Sequence, residues 1–324
     1  MDKMISVIIP MYNTESYIEE CIQSLMDQTY INFEVFIIDD GSTDKSFQIA
    51  ADKIKSDKRF NLIKQDNMGA STARNKGIMM SKGFFLYFLD SDDYIHKTTF
   101  EKCMREFEEK KVDLVIFDAI CIVDKVYLNK KQEKYEEKMS NFYDRSSIPQ
   151  FKNVIMVNDF LRISFLENKF RGNSVLYMIK RNIITKNNIM FNEKITYYED
   201  VLFLYKVIKH IKKVKYLSHK FYYRRLTGNS LMTSNKNIEI VNDVIQCIDL
   251  IRSEGLNEIN KMFIKYLSMV AYVFWNKCSN VSKNDIKLTY YIKILFESLM
   301  VYTDEKDVLE ASYNDNIIKI MNTL

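Results

Sequence analysis

Apolar residues follow two alternating periods along the first 120 positions. Ile5, Val7, Ile8 and Ile9 give a nearly unbroken apolar run, as do 33–38 (FEVFII), 60–64 (FNLIK), 84–89 (FFLYFL) and 113–117 (DLVIF). Runs this short and this apolar predict strands buried on both faces. Between them the apolar positions fall three and four apart: Ile18, Cys21, Ile22, Leu25 and Met26 share one helical face, and further helices are predicted over 44–56, over 70–81 and from about 98. Ser16-x-x-Glu19 and Thr98-x-x-Glu101 have the spacing of capping boxes. Strand and helix in alternation predict an α/β fold, a mainly parallel sheet flanked by helices, whose ligands gather at the carboxyl ends of the strands.

After about 120 the pattern loosens. Residues 125–150 are polar and charged and read as an excursion or mobile loop, followed by a helix near 158–167, a short apolar segment at 174–179 and a helix from about 199. From about 235 the chain reads as helices, with no proline and only Gly255. The expected division is a catalytic domain over 1–230 and a C-terminal helical region over 231–324, consistent with a length beyond a single ordinary core.

Four polar constellations fall where the sheet would hold a ligand: Pro10-Met11-Tyr12-Asn13, Asp39-Asp40-Gly41-Ser42, the Asp90-Ser91-Asp92-Asp93 cluster, and Gln65, Asp66 and Asn67 leading into GASTARNKG (69–77) with Arg74 and Asn75. Singly, each has a bland account: Asp40-Gly41 is a common turn, Asp44 a helix cap, and Arg74 a solvated helix residue with Ala70, Ala73 and Gly77 easing the helix onto the sheet. At one sheet edge together they point to a site. Asp90, Asp92 and Asp93 at roughly 5 Å would repel by about 3 kcal/mol per pair at an effective dielectric near 20. No Lys or Arg lies between 84 and 96 to offset this, so a divalent cation, Mn²⁺ or Mg²⁺, bound with substrate phosphates is expected there. The turn after the first strand has no glycine, which excludes both the dinucleotide-binding fingerprint and the P-loop.

The runs SVIIPMYNTESYIEECIQSLMDQTYINFEVFIIDDGSTDKS and NMGASTARNKGIMMSKGFFLYFLDSDDY strongly resemble the family-2 glycosyltransferases of GT-A fold, over about residues 4–118 and weakly to about 230. The resemblance implies inverting transfer of a sugar from a nucleotide diphosphate donor to a hydroxyl. It makes 1–118 the nucleotide-sugar side and 119–230 the acceptor side. It implies that Pro10, Tyr12 and Asp40 hold the base, commonly uracil, with Asn13, Asp39 and Asn67 beside them. Asp92 and Asp93 are then the ribose and metal motif, with Asp90, Ser91, Arg74 and Asn75 close to the donor. Glu199-Asp200 resembles the family's acidic pair, Asp200 being the expected general base, although two acids opening a helix also simply complement its dipole. FYYRRLTGNSLMTS (221–234) resembles the loop that closes over the diphosphate, with Arg224, Arg225 and Ser230 as contacts; a basic surface loop is the equal alternative. The Q-x-x-R-W element of processive members is absent, so a single addition is expected.

The implied function is transfer from a UDP-sugar to a glycan or lipid-linked acceptor in bacterial capsule, exopolysaccharide or other surface-glycan synthesis. The alternatives are a sugar nucleotidyltransferase, disfavoured by the glycine-free first loop, and a nucleotide-sugar-binding subunit without transfer chemistry. A net charge of +4, from 47 basic and 43 acidic residues, does not suggest nucleic-acid binding. The five cysteines are scattered without metal or disulfide spacing, and His96, His210 and His219 form no ligand set. No signal peptide is legible, and the run MVAYVFW (269–275) is too short to span a bilayer, so a cytoplasmic location, at most at the inner face of the membrane, is expected. The apolar face of 261–277 is expected to pack in the core or against a second copy, with peripheral membrane contact as the alternative.

Overall fold

The computed structural model describes residues 3–123, 130–226 and 237–276. These fall into two compact units, one of residues 3–161 with 169–226 and one of 162–168 with 237–276.

The larger unit is built on a nine-stranded mixed sheet. In chain order its strands are β1 (Ile5–Met11), β2 (Phe33–Asp39), β3 (Phe60–Lys64), β4 (Phe85–Phe88), β5 (Tyr94–Ile95), β6 (Leu114–Val123), β7 (Val154–Met156), β8 (Tyr177–Lys180) and β9 (Lys213–Leu226). They lie side by side as β3-β2-β1-β4-β8-β6-β9-β5, with β7 also on β9. The first four of this order are parallel, as the doubly apolar runs require; β8 then enters antiparallel between β4 and β6. Helices α1 (Ile18–Met26), α2 (Ser46–Ile54), α3 (Ala70–Met80) and α4 (Thr99–Lys110) fill the intervals where helical periodicity predicts them. Burial explains the fidelity: Ile5, Val7, Ile8, Ile9, Val35, Ile37, Leu86 and Phe88 are all fully buried. At Gly77 of α3, a Cβ would lie 2.4 Å from Ile8 Cγ2, so only glycine lets the helix approach β1 this closely.

Several expectations change. Neither predicted capping box forms: α1 starts after Tyr17 and α4 after Thr98, both without a side-chain cap. Glu19 instead pairs with Lys53, and Glu101 accepts from the Thr29 hydroxyl. The polar stretch 125–150 contains a helix, α5 (Lys130–Tyr143), rather than only loop. It is anchored where the Ser140 hydroxyl accepts the Cys121 N–H and Tyr143 is buried. The strand over 213–226 was not anticipated, so Arg224 and Arg225 lie on β9 rather than in a loop. Ser230 lies outside the described residues. The unit is completed by α6 (Val157–Leu166), whose end belongs to the other unit, α7 (Arg181–Lys186) and α8 (Glu199–Ile208).

The smaller unit holds α9 (Asn237–Ser253) and α10 (Glu258–Asn276). Ile240, Val244, Ile248 and Ile251 form the buried stripe of α9, and Phe263, Leu267 and Ala271 that of α10. No described helix is long and apolar enough to cross a membrane. Cys21, Cys103, Cys121 and Cys247 are buried free thiols, and Cys278 lies outside the described residues.

Candidate active site

The carboxyl ends of β1 and β2 are tied together by short polar links. Asn13 adopts φ 49°, a left-handed conformation that asparagine tolerates, and its side-chain oxygen accepts the Thr43 N–H at 2.8 Å. Thr14 N–H donates to the Ser46 hydroxyl at 2.7 Å, Glu15 N–H to Asp44, and Lys45 N–H back to Glu15. Asp40 is nearly buried, and its carboxylate accepts Gln65 Nε2, Met68 N–H and Gly69 N–H, each at 2.8 Å. It therefore fixes the loop carrying Asn67 and the entry to α3. Asp39 is fully buried; Oδ1 accepts the Ser42 N–H and Oδ2 has no partner among the described residues. Pro10 closes this wall, Asn67 is exposed on it, and Tyr12 is 46% exposed, offering a ring face to a ligand.

The opposite wall joins side chains distant in sequence. Arg74, on α3, donates from Nη2 to Asp90 Oδ1 at 3.0 Å and from Nη1 to Glu199 Oε1 at 3.0 Å, with Asp200 Oδ1 3.9 Å away. Its neighbour Asn75 does not join them. Asn75 accepts the Phe191 N–H and donates to the Phe191 carbonyl and Glu193, holding the segment that leads to α8. Tyr198, just before α8, has φ 65°, a left-handed conformation rare for a bulky residue, and it turns the chain so that Glu199 and Asp200 open the helix facing Arg74.

Asp93 is turned inward. Its carboxylate accepts the Tyr222 hydroxyl and, at 2.7 Å, the Arg225 N–H. A bulge in the β6–β9 pairing after Phe117 brings Tyr222 opposite Ala119 and beside Asp93. The Arg225 side chain donates to the Asp92 carbonyl at 2.8 Å and to Glu20, lying against the rings of Tyr17 and Tyr94. Arg224 donates to the Tyr143 hydroxyl. Ser91 is buried, and Asp92 is the more open member of the Asp92–Asp93 pair. Asp90, Asp93 and Asp200 line one cavity with Tyr143, Tyr222 and Arg224, over Ala119, Asn173, Val175 and Leu176. Tyr143, Tyr222 and Asn173 were missed from sequence; reading 213–226 as a strand would have placed Tyr222 and Arg224 on the same face, two residues apart.

Carboxylates outnumber cations on this wall, and their proton affinities show it. Burial, then the Asp90 charge, pushes Asp92 up to about 6. Burial and the Asp92 and Asp90 charges raise Asp93 well above the usual range. Burial and Asp200 push Glu199 up to about 8, and burial raises Asp200 while Arg74 pulls it down. Burial opposes the Arg74 charge, but Asp200, Asp90 and Glu199 outweigh it and keep the guanidinium protonated. No three His, Cys, Asp or Glu side chains stand together as a metal cluster among the described residues. The half-buried Asp92 carboxylate, only partly offset by Arg224 and Arg225, nonetheless fits a hard divalent cation that takes most of its ligands from phosphate and water.

The family model described as glycosyl transferase family 2 matches residues 6–168. The chain belongs to this family. It is 43% identical over 115 residues to the uncharacterized glycosyltransferase EpsJ of Bacillus subtilis (36% of this chain, 33% of that protein). It is 37% identical over 144 residues to the glycosyltransferase GlyG of Streptococcus pneumoniae (44% of each). The matches thus span a third to under half the length of these relatives. Among solved structures, S. aureus TarS 1–349 in complex with UDP-GlcNAc superposes with TM-score 0.64 at 21% identity, over 91% of this chain and 80% of that one. The mannosyltransferase PcManGT of Pyrobaculum calidifontis, with GDP-Man and Mn²⁺, gives TM-score 0.57 at 12% identity, over 98% and 80%. These likenesses show a shared α/β fold, the GT-A architecture expected from the sequence.

Proposed function

We propose that this chain is an inverting, metal-dependent glycosyltransferase that moves a sugar from a UDP-sugar to a hydroxyl of a glycan or lipid-linked acceptor, in the synthesis of a bacterial surface glycan. The observation that carries this reading is the cavity where Asp90 and Asp93, after β4, face Asp200, at the start of α8. One carboxylate group belongs to the donor side and the other remains for the acceptor. TarS with UDP-GlcNAc and PcManGT with GDP-Man and Mn²⁺ support a nucleotide-sugar donor for a chain of this fold.

On this reading the wall of Pro10, Tyr12, Asn13, Asp39, Asp40 and Asn67 takes the nucleotide, the Tyr12 ring covering the base. Asp90, Ser91 and Asp92 lie along the donor, with Asp92 holding the cation and Asp93 bracing the loop through Tyr222. A Mn²⁺ or Mg²⁺ ion, when bound, supplies Lewis-acid stabilisation of the diphosphate leaving group. Arg224, hydrogen-bonded among the described residues only to Tyr143, is freer than Arg225 to meet the diphosphate; Ser230, outside the described residues, is the further contact the family resemblance implies. Asp200 accepts the acceptor hydroxyl proton as that oxygen attacks the anomeric carbon, and the bond to the diphosphate breaks on the opposite face. The raised Asp200 pKa suits a base that must hold a proton transiently.

The test is a screen of UDP- and GDP-sugars, reading nucleotide diphosphate release with and without Mn²⁺. Release from a UDP-sugar that depends on the ion is expected. No release from any donor under either condition would overturn the reading.

A further inference from the structure

Glu199 and Asp200 are adjacent, both largely buried, and both open α8, so neither position nor residue type decides which can accept a proton. Arg74 treats them differently. It hydrogen-bonds Glu199 Oε1 at 3.0 Å but stands 3.9 Å from Asp200 Oδ1, an oxygen with no hydrogen-bond partner among the described residues, Ser174 being the neutral donor beside the carboxylate. Coulomb attraction falls only as the inverse of distance, and of the three acids around Arg74 it is Asp200 whose charge acts on the guanidinium most strongly. A hydrogen bond is lost entirely between 3.0 and 3.9 Å. Asp200 therefore gains the charge without giving up the lone pair.

We propose that Arg74 is the positioning residue of the base pair: one buried guanidinium, shared by Asp90, Glu199 and Asp200, holds Glu199 out of the reaction and keeps Asp200 charged with an oxygen free. The guanidinium is itself fixed. It lies 5.3 Å from the centre of the Phe191 ring, which stacks on Phe203 at 3.9 Å and is tied at its backbone by Asn75. Arg74 and Asn75 thus act as consecutive parts of one clamp on the entry to α8. The other groups around Asp200 cannot replace this charge. Asp90 and Glu199 are acids, the Tyr177 hydroxyl is kept neutral by burial, and across the cavity Asp93 is an acid and Arg224 is engaged with Tyr143.

The inference rests on Asp200 being the base, and the two can fail separately. Carboxyl ¹³C NMR titration, with the Asp200 signal assigned by its loss in Asp200→Asn, reads the hold of Arg74 without any substrate. Arg74→Gln should raise the Asp200 midpoint by about one pH unit or more, roughly a tenfold change in proton affinity, while Arg74→Lys leaves it near the wild-type value. Asp90→Asn, which keeps Arg74 and removes both a charge that repels Asp200 and a competitor for the guanidinium, should lower it, and this arm stands if Arg74→Gln does not fold. In parallel, the acid limb of the pH profile for UDP release should move in the same direction in each variant. A midpoint unchanged in Arg74→Gln, or one that fails to fall in Asp90→Asn, overturns the role of Arg74 while Asp200→Asn still loses activity. If Asp200→Asn releases UDP at the wild-type rate, Arg74 positions no base and the inference falls with that reading.

Discussion

The two walls of the site are built on opposite plans. On the nucleotide wall, neighbouring loops exchange hydrogen bonds between backbone amides and nearby side chains, and the Asp40 carboxylate accepts three donors at 2.8 Å. On the acid wall, side chains more than a hundred residues apart meet, as in Arg74 with Glu199 and Tyr222 with Asp93. There Asp92, Asp93, Glu199 and Asp200 all bind protons more tightly than usual. The first wall is tied together without ligand, although Asp39 Oδ2 stays open among the described residues; the second carries negative charge that its own arginines do not cancel. Preformed binding and uncompensated charge are different requirements, and the chain assigns them to different elements.

If that contrast is right, the largest effect comes from removing what completes the acid wall. Chelation with EDTA should reduce turnover to background, and Mn²⁺ or Mg²⁺ should restore it; full activity after exhaustive chelation would remove the cation from the mechanism. Next in size, Asp200→Asn keeps the shape of the side chain but not its basicity, so transfer should fall by roughly 10²-fold or more while UDP affinity holds. Should Glu199→Gln abolish transfer and Asp200→Asn not, the roles within the pair are reversed.

The nucleotide wall should respond in binding and not in chemistry. Asp40→Ala frees Gln65 and the amides of Met68 and Gly69 from their common acceptor, so the loop leading to α3 loses its anchor. UDP affinity measured by calorimetry should drop about tenfold, near 1.4 kcal/mol. An unchanged affinity would detach Asp40 from the nucleotide site.

How far the sequence reveals these walls follows from their construction. The first four sheet positions are legible because strands buried on both faces must be apolar throughout, and the glycine-free first turn and the acid cluster stand directly at their ends. The strand β9 is hidden because Lys213, His219 and Lys220 interrupt its apolar positions and its face changes at the bulge. Helix α5 is hidden because it is polar along most of its length, and polar helices leave no stripe to read. The pairing of Arg74 with Glu199 has no local signal, since nothing in either segment specifies a contact across 125 positions. Family likeness singled out both residues; only the fold shows that they touch.

The smallest effect is also the sharpest comparison, because the same substitution should act in opposite senses on the two walls. Asp92 is held at about 6 in the folded chain, against roughly 3.9 when unfolded. Between those values the folded state keeps a proton that the unfolded state has released, so the unfolded chain binds fewer protons and stability falls as pH rises through this window. The penalty is complete above about pH 6 and absent below about pH 4. After allowance for partial exposure of the loop, it is on the order of 1 to 2 kcal/mol. Asp92→Asn removes the charge, so without metal it should melt a few degrees above wild type at pH 7.5 and show no gain at pH 4. Asp40→Asn replaces an acceptor of three N–H donors with a group that must turn its own N–H₂ toward one of them, so it should melt lower at pH 7.5. Thermal melts of both variants in chelator decide the point: equal losses in the two would mean that the acid wall is as well satisfied as the nucleotide wall, and that no cation is needed to complete it.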